Sequence, residues 1–394
     1  MGFEGLEYID SAYQALTYAS NGMIYFGLCT HDAKNHAAFL SYDPLTNQVE
    51  NIADMGIVTN EVRMNRYPQG KLHTKFFEDN GKLYFATHLG YPQGVVQEVD
   101  YPGGHWVSYD LKTKIFSDLG IGMAGQGIIT MVMDSLYKRL YGLVYPSGSF
   151  LIYDIEKKQT SSLGPIFQNS TICRTLEVDD KGNVFGSREQ NRIFKYDIET
   201  GKLEDLPLKI PSKEIKGEHG EKIADGTVSR EIWRTIVWNK KTHTFYGIHA
   251  GTSMLFCLDP KSLKVEKIGQ VCPMEFIGKE TQTYASLALA LGRDNKLYYA
   301  APYGVFDYFG SSNITDATHL ITYDIDSDDI ADHGPLIDNE GYRVLGVQCA
   351  TVGSDGTIYF LGAVELAANK GLSNNLRKVC GIPYEMKLVI CRPI

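Results

Sequence analysis

Residues 78–86 read EDNGKLYFA, a polar turn followed by a short apolar strand, and the phrase recurs along the chain as ASNGMIYFG (19–27), DSLYKRLYG (134–142), DDKGNVFG (179–186), NKKTHTFYG (239–247), RDNKLYYA (293–300) and GSDGTIYFLG (353–362). A second phrase, a strand closing on Tyr-Asp and a turn, alternates with it: LSYDPLTN (40–47), VSYDLKTK (107–114), LIYDIEKK (151–158), FKYDIETG (194–201), FCLDPKSL (256–263) and ITYDIDSD (321–328), with a weaker counterpart at KLVICRPI (387–394). Self-similarity of this kind outranks any local signal, because a repeat that cannot bury its own faces must stack against its neighbours. Two turn-and-strand phrases per unit, each followed by a further short strand, make four strands. Seven such units predict an all-β fold, a seven-bladed β-propeller of four-stranded antiparallel blades.

The remaining bulk properties agree. A chain of 394 residues exceeds the usual single domain, yet closed β folds reach this size undivided, so residues 1–394 are expected to form one propeller domain. The 25 tyrosines and 39 glycines suit many strands joined by tight turns. A net charge of −9 leaves no basic footprint for nucleic acid, and no apolar run is long enough for a membrane helix. Neither partner is expected, and a monomer is. Glu4, Glu7 and Asp10 near the start resemble no secretory signal, which implies either a cytoplasmic protein or a secreted or periplasmic one whose signal peptide has been removed. The seven cysteines are odd in number and scattered, an argument against a complete disulfide framework.

Labelling the strands of each blade A to D from the channel outward, the A strands are expected at 13–18, 72–77, 129–133, 173–178, 233–238, 286–291 and 348–352. A-to-B and C-to-D turns are short, whereas long insertions at 53–71, 89–104, 205–231, 302–317 and 363–385 all fall on D-to-A or B-to-C connections, hence on one rim. Elaborated loops on one rim of a rigid scaffold mark a working face.

Counting back from the B strands aligns one A-strand position per blade: Gln14, His73, Ile129, Arg174, Arg234, Leu287 and Gln348. Guanidinium groups at an inward position imply either an anionic ligand or buried carboxylates such as Glu177 or Glu231. The B strands end on a second ring, His31, His88, Tyr145, Arg188, His249 and Tyr303, to which blade two adds His105 in YPGGHW. Histidines on strands are commonly satisfied core or rim residues, but three on one blade beside Tyr and Arg suggest chemistry. Neither ring supplies a pair of carboxylates, which weakens glycoside hydrolysis and metal-dependent lactonase readings.

A His/Tyr/Arg set suits β-elimination from a uronic acid. Arg174 and Arg234 would neutralise the sugar carboxylate, His73 or His88 would remove the C5 proton, and Tyr145 or His105 would assist as acid or orienter. Arg188, His249, Tyr303 and Gln348 would complete the substrate-binding set. No cofactor is required for such chemistry.

The run LHTKFFEDNGKLYFATH (72–88), then GGHWVSYD (103–110), then RLYGLVYPSGSFLIYD (139–154), resembles the β-propeller polysaccharide lyases, among them ulvan lyases and rhamnose-glucuronate lyases. The resemblance implies cleavage of the bond to a glucuronate or iduronate by β-elimination, with His and Tyr as base and acid, arginines on the carboxylate, and an anionic uronate-containing poly- or oligosaccharide as partner. It matches Arg174 and Arg234 best, leaves His73, His88 and His105 as three candidates for the histidine roles, and keeps Tyr153 as an alternative to Tyr145. It also implies action outside the cytoplasm and allows a structural Ca²⁺ or Zn²⁺, with His249 and Cys257 as the candidate pair for zinc. The competing readings are a non-catalytic propeller that binds an acidic glycan or a protein through the same rim, and a hydrolase or lactonase with a channel metal.

Overall fold

The structure is a computed structural model that describes residues 3, 5–61, 67–90, 100–168, 172–212, 231–277, 285–305, 313–314, 316–366, 378–379 and 382–392. Seven antiparallel four-stranded sheets form the blades of a β-propeller. Blade one takes its four strands in order from Leu16–Tyr18, Ile24–Leu28, Ala38–Asp43 and Gln48–Asp54. Blades three, four and five repeat that order without insertion, and blade six adds a two-stranded hairpin, Gly304–Val305 with Asn313–Ile314, between its second and third strands. Blade seven departs from the rule. Its third strand is Ile382–Cys391, which contains most of the weak KLVICRPI phrase, but its outermost strand is Lys378–Val379 from just before it. Of the long insertions, residues 62–66, 91–99, 213–230, 306–312, 315, 367–377 and 380–381 lie outside the described residues.

The repeated phrases owe their form to specific turn chemistry. Each Tyr-Asp phrase ends on an Asp whose carboxylate accepts a backbone N–H of the turn: Asp43 from Leu45 at 2.8 Å, Asp110 from Thr113 at 2.8 Å, Asp154 from Lys157 at 2.9 Å, Asp197 from Thr200 at 2.9 Å and Asp259 from Lys261 at 2.8 Å. Four residues after each Asp the backbone turns left-handed, at Asn47 (φ 58°), Lys114 (58°), Lys158 (53°), Gly201 (68°) and Leu263 (52°). The glycine after the B-strand aromatic serves packing instead. A Cβ at Gly142 would lie 2.7 Å from the Trp106 ring, and one at Gly186 or Gly247 would overlap Phe194 or Phe256.

Contacts divide the chain into two compact units, residues 1–172 with 351–361 and 386–394, and residues 173–350 with 362–385. The first unit contains blades one to three. Its core is aromatic: Phe39 packs against Phe76, Phe85 and Tyr109 at centroid distances of 5.3, 5.3 and 5.2 Å between blades one and two. Trp106, Met131, Leu151 and Tyr153 fill the next interface. The second unit contains blades four to six, and Tyr246, Leu255, Tyr299 and Ile321 form its core between blades five and six. Fully burying each such side chain contributes about 1.5–3 kcal/mol; the third strands of blades one and three, Ala38–Asp43 and Ser149–Asp154, are buried except for their last residue, whereas their outer strands carry no buried residue. The six described cysteines are free thiols.

The expected A strands are present, and those of blades three, five and seven are continuous, at Gly127–Asp134, Trp233–Asn239 and Val344–Val352. Blade two's is split into Lys71–Leu72 and Phe77–Asp79, and those of blades four and six shrink to Glu177–Val178 and Leu289–Leu291. Five of the seven aligned positions fall at the breaks, His73, Arg174 and Leu287, or at β-bulges, where Ile129 is the extra residue between Ile128 and Thr130 and Arg234 the extra residue between Trp233 and Thr235, while Gln14 precedes Leu16–Tyr18 and Gln348 lies within Val344–Val352. A bulge re-aims a side chain out of the ladder's alternation. Backbone carbonyls freed at these positions are taken up by neighbouring A strands. In the first unit Gln14 Nε2 donates to the His73 carbonyl at 3.4 Å and His73 Nδ1 to that of Ile129 at 2.7 Å. In the second, Thr175 Oγ1 donates to Arg234 and Thr235 Oγ1 to Leu287, each at 3.4 Å. The aligned register therefore recurs as a hydrogen-bond register.

Candidate active site

Within the first unit, blades one to three bring four rings into a row. Tyr13 stacks on His73 (centroids 4.2 Å apart, planes at 26°), His73 lies 5.7 Å from His88, and His88 lies 6.3 Å from Tyr145. Both imidazoles are held by backbone carbonyls, His73 Nδ1 on Ile129 at 2.7 Å and His88 Nδ1 on Leu89 at 2.8 Å. A carbonyl can only accept, so each Nδ1 carries a proton, and in the neutral ring Nε2 is the basic nitrogen. The two differ in access: His88 is 1% exposed with its Nε2 enclosed, whereas His73 retains 4% and Tyr145 is half-buried.

Two residues of this site carry no motif. Gly127, opposite Tyr145 in the blade-three ladder, is where His88 rests: a Cβ there would lie 2.7 Å from the imidazole Cγ. Lys71, opposite His88 in the blade-two ladder, is 7% exposed and places its ammonium 4.8 Å from the Tyr13 ring centre.

His105 stands apart from this row chemically. Its Nδ1 lies 2.9 Å from Asp118 and its Nε2 2.9 Å from Glu61, so both nitrogens donate to carboxylates. Burial opposes the charged form, but the hydrogen bonds and charges of Asp118 and Glu61 overcome it and raise His105 to about 9. Glu61 also accepts from Gln69 Nε2 at 3.0 Å, and Gln69 accepts from the Tyr101 hydroxyl at 2.7 Å. This imidazolium braces the described ends of the 53–71 and 89–104 insertions. Tyr153 is 2% exposed and packs 6.0 Å from Trp106 in the core between blades two and three, where burial raises its hydroxyl pKa. His31 donates through Nδ1 to Asp10 at 2.9 Å; burial and then the charge of Lys71 work against its protonation, so the ring is read as neutral.

The second unit holds the other expected residues. Arg234 is 4% exposed, and its Nη2 lies 3.4 Å from Gln348 Oε1. Arg174 is half-buried at the A-strand break of blade four. Arg188 forms an ion pair with Asp205, which also holds Arg192 at 3.1 Å. Tyr303 packs between Phe276 and His319 at 5.0 and 5.5 Å. His249 accepts at Nδ1 from the Gly251 N–H at 3.2 Å and donates from Nε2 to Asn191 Oδ1 at 2.9 Å, and burial lowers it to about 4. With both nitrogens so engaged, His249 and Cys257 do not fit a zinc site, and among the described residues no three His, Cys, Asp or Glu side chains converge as metal ligands.

No family model matches the chain, and no curated protein does. Solved structures do match in fold. The extracellular domain of the putative one component system BT4673 from B. thetaiotaomicron aligns with 98% of this chain at 13% identity and a TM-score of 0.57, this chain spanning 38% of that solved domain. Virginiamycin B lyase from Staphylococcus aureus aligns with 91% of this chain and 94% of its own at 9% identity and a TM-score of 0.55. A chain of the mitotic checkpoint complex aligns with 91% of this chain and 86% of its own at 11% identity and a TM-score of 0.55. Identities this low carry the fold alone. Among the described residues no helix is long and apolar enough to cross a membrane. The chain is thus a β-propeller whose solved neighbours serve varied functions.

Proposed function

We propose that the protein is a carbohydrate lyase that cleaves a glycosidic bond to a uronic acid by β-elimination. The observation that carries this reading is the fixed tautomer of His73, whose Nδ1–H is held by the Ile129 carbonyl so that Nε2 is the basic nitrogen. His73 Nε2 takes the C5 proton, the C–H electron pair becomes the C4=C5 double bond, the C4–O bond breaks, and the leaving oxygen takes the Tyr145 hydroxyl proton. The greater enclosure of His88 favours His73 as base and gives His88 a positioning part between the base and Tyr145. His105, with carboxylates on both nitrogens, supports the rim in this scheme rather than moving a proton. Arg174 and Arg234, with Arg188, His249, Tyr303 and Gln348, enter as carboxylate and sugar ligands on the strength of the resemblance, and each is open to test by its own variant. Action on a polymeric glycan favours a compartment outside the cytoplasm.

The near-complete burial of both imidazoles favours a second reading, a non-catalytic site that binds an acidic glycan. The two separate in an ultraviolet assay for the conjugated unsaturated uronate, with ulvan, gum arabic and other glucuronate-containing glycans as substrates. Elimination predicts a rise that His73→Gln abolishes and Tyr145→Phe strongly slows; saturable binding without any rise would support the binder.

A further inference from the structure

We propose that Lys71 determines this site's specificity for acidic sugars by receiving the carboxylate of a uronic acid. The inference rests on the reading that the row of rings binds such a sugar, whether or not it reacts there. Lys71 as a whole is 7% exposed, and its ammonium lies 4.8 Å from the centre of the Tyr13 ring, the same ring that stacks on His73. Lys71 and His88 are directly opposed in the blade-two ladder, which puts their side chains on one face of the sheet. Its charge reaches two further groups of this rim: burial pushes the Cys29 thiol up to about 12 against the opposing pull of Lys71, and the same charge disfavours protonation of His31. A single ammonium therefore lies against the aromatic ring stacked on His73, belongs to the residue that opposes His88 in the ladder, and reaches the neighbouring strand end. In this proposal the carboxylate, one bond from C5, is neutralised by that ammonium while the C5 proton faces an imidazole of the row.

The test uses sodium glucuronate, glucuronamide and glucose as probes, with binding to the full chain followed by NMR line broadening and shift. Wild type should bind glucuronate at least tenfold more tightly than glucuronamide or glucose. Lys71→Met, checked by an unchanged melting temperature, should lower that preference at least threefold, the remainder resting with the arginines, and Lys71→Arg should restore it. If Lys71→Met fails to fold, Lys71→Arg and added salt carry the test, since raised ionic strength should weaken glucuronate binding and leave glucose unaffected. A folded Lys71→Met that keeps the full preference overturns the proposal, as does wild type that does not prefer glucuronate, or a preference that salt leaves unchanged where only Lys71→Arg folds. The two readings fail separately: glucuronate preference lost in Lys71→Met without any elimination product removes the lyase and keeps Lys71, while elimination with an unaltered preference in Lys71→Met removes Lys71 and keeps the lyase.

Discussion

Raising the pH should release a clamp that holds the blade-two rim. His105 is 5% exposed, and its ring is raised from the ordinary 6.5 to about 9 by Asp118 and Glu61 against the cost of burial. A histidine whose folded pKa exceeds its unfolded one stabilises the fold fully below the unfolded value, and the contribution disappears as pH climbs through the folded value. The window is therefore about pH 6.5 to 9. At 1.36 kcal/mol per pKa unit the full shift corresponds to about 3 kcal/mol, reduced to about 2–3 kcal/mol because solvent screens the one-third-exposed Asp118. With an unfolding entropy of about 2.1 cal/mol/K per residue over 394 residues, that is a melting shift of about 2–4 °C. Differential scanning calorimetry of wild type and His105→Gln across this range isolates the effect, since titrations common to both cancel. The gap between the two proteins should narrow by that amount as pH rises. A gap that stays constant from pH 6 to 10 would refute the charged clamp.

His249 should produce the opposite limb. Burial lowers it to about 4, so its contribution is complete above pH 6.5 and is lost as pH falls towards 4, and His249→Gln should flatten the acid side of the wild-type melting curve. Gly127→Ala should press on His88 and cut elimination, or glucuronate affinity if the site only binds, by about tenfold to a hundredfold with little change in melting temperature; unaltered function would show that the His88 ring position is unimportant. Gly247→Ala should cost about 1–3 kcal/mol in urea unfolding by forcing Phe256 out of its place, and a neutral result would remove the packing explanation for the repeated glycine.

The blades were legible because they are local. An Asp that caps its own turn and a left-handed residue four positions later leave a mark within five residues, and they do so blade after blade. The aligned inward positions were legible for the same reason, although the breaks and bulges that place His73 and Arg234 there leave no mark of their own. What escaped is non-local. Glu61 comes from an insertion and Asp118 from an outer strand, so neither rim ring could reveal the carboxylates that fix His105. Lys71 reads as an ordinary polar residue at a strand start until Tyr13, 58 positions earlier, is seen beneath it. The last blade misled because its outermost strand precedes its third, whereas every other blade runs in order.

The most direct test of the account is mass spectrometry of products formed from a glucuronate-containing oligosaccharide in ¹⁸O-labelled water. Elimination by His73 and Tyr145 predicts an unlabelled product lighter by one water than the hydrolytic one, absent with His73→Gln. A product carrying ¹⁸O would contradict elimination, and intact oligosaccharide with every substrate that binds would contradict catalysis.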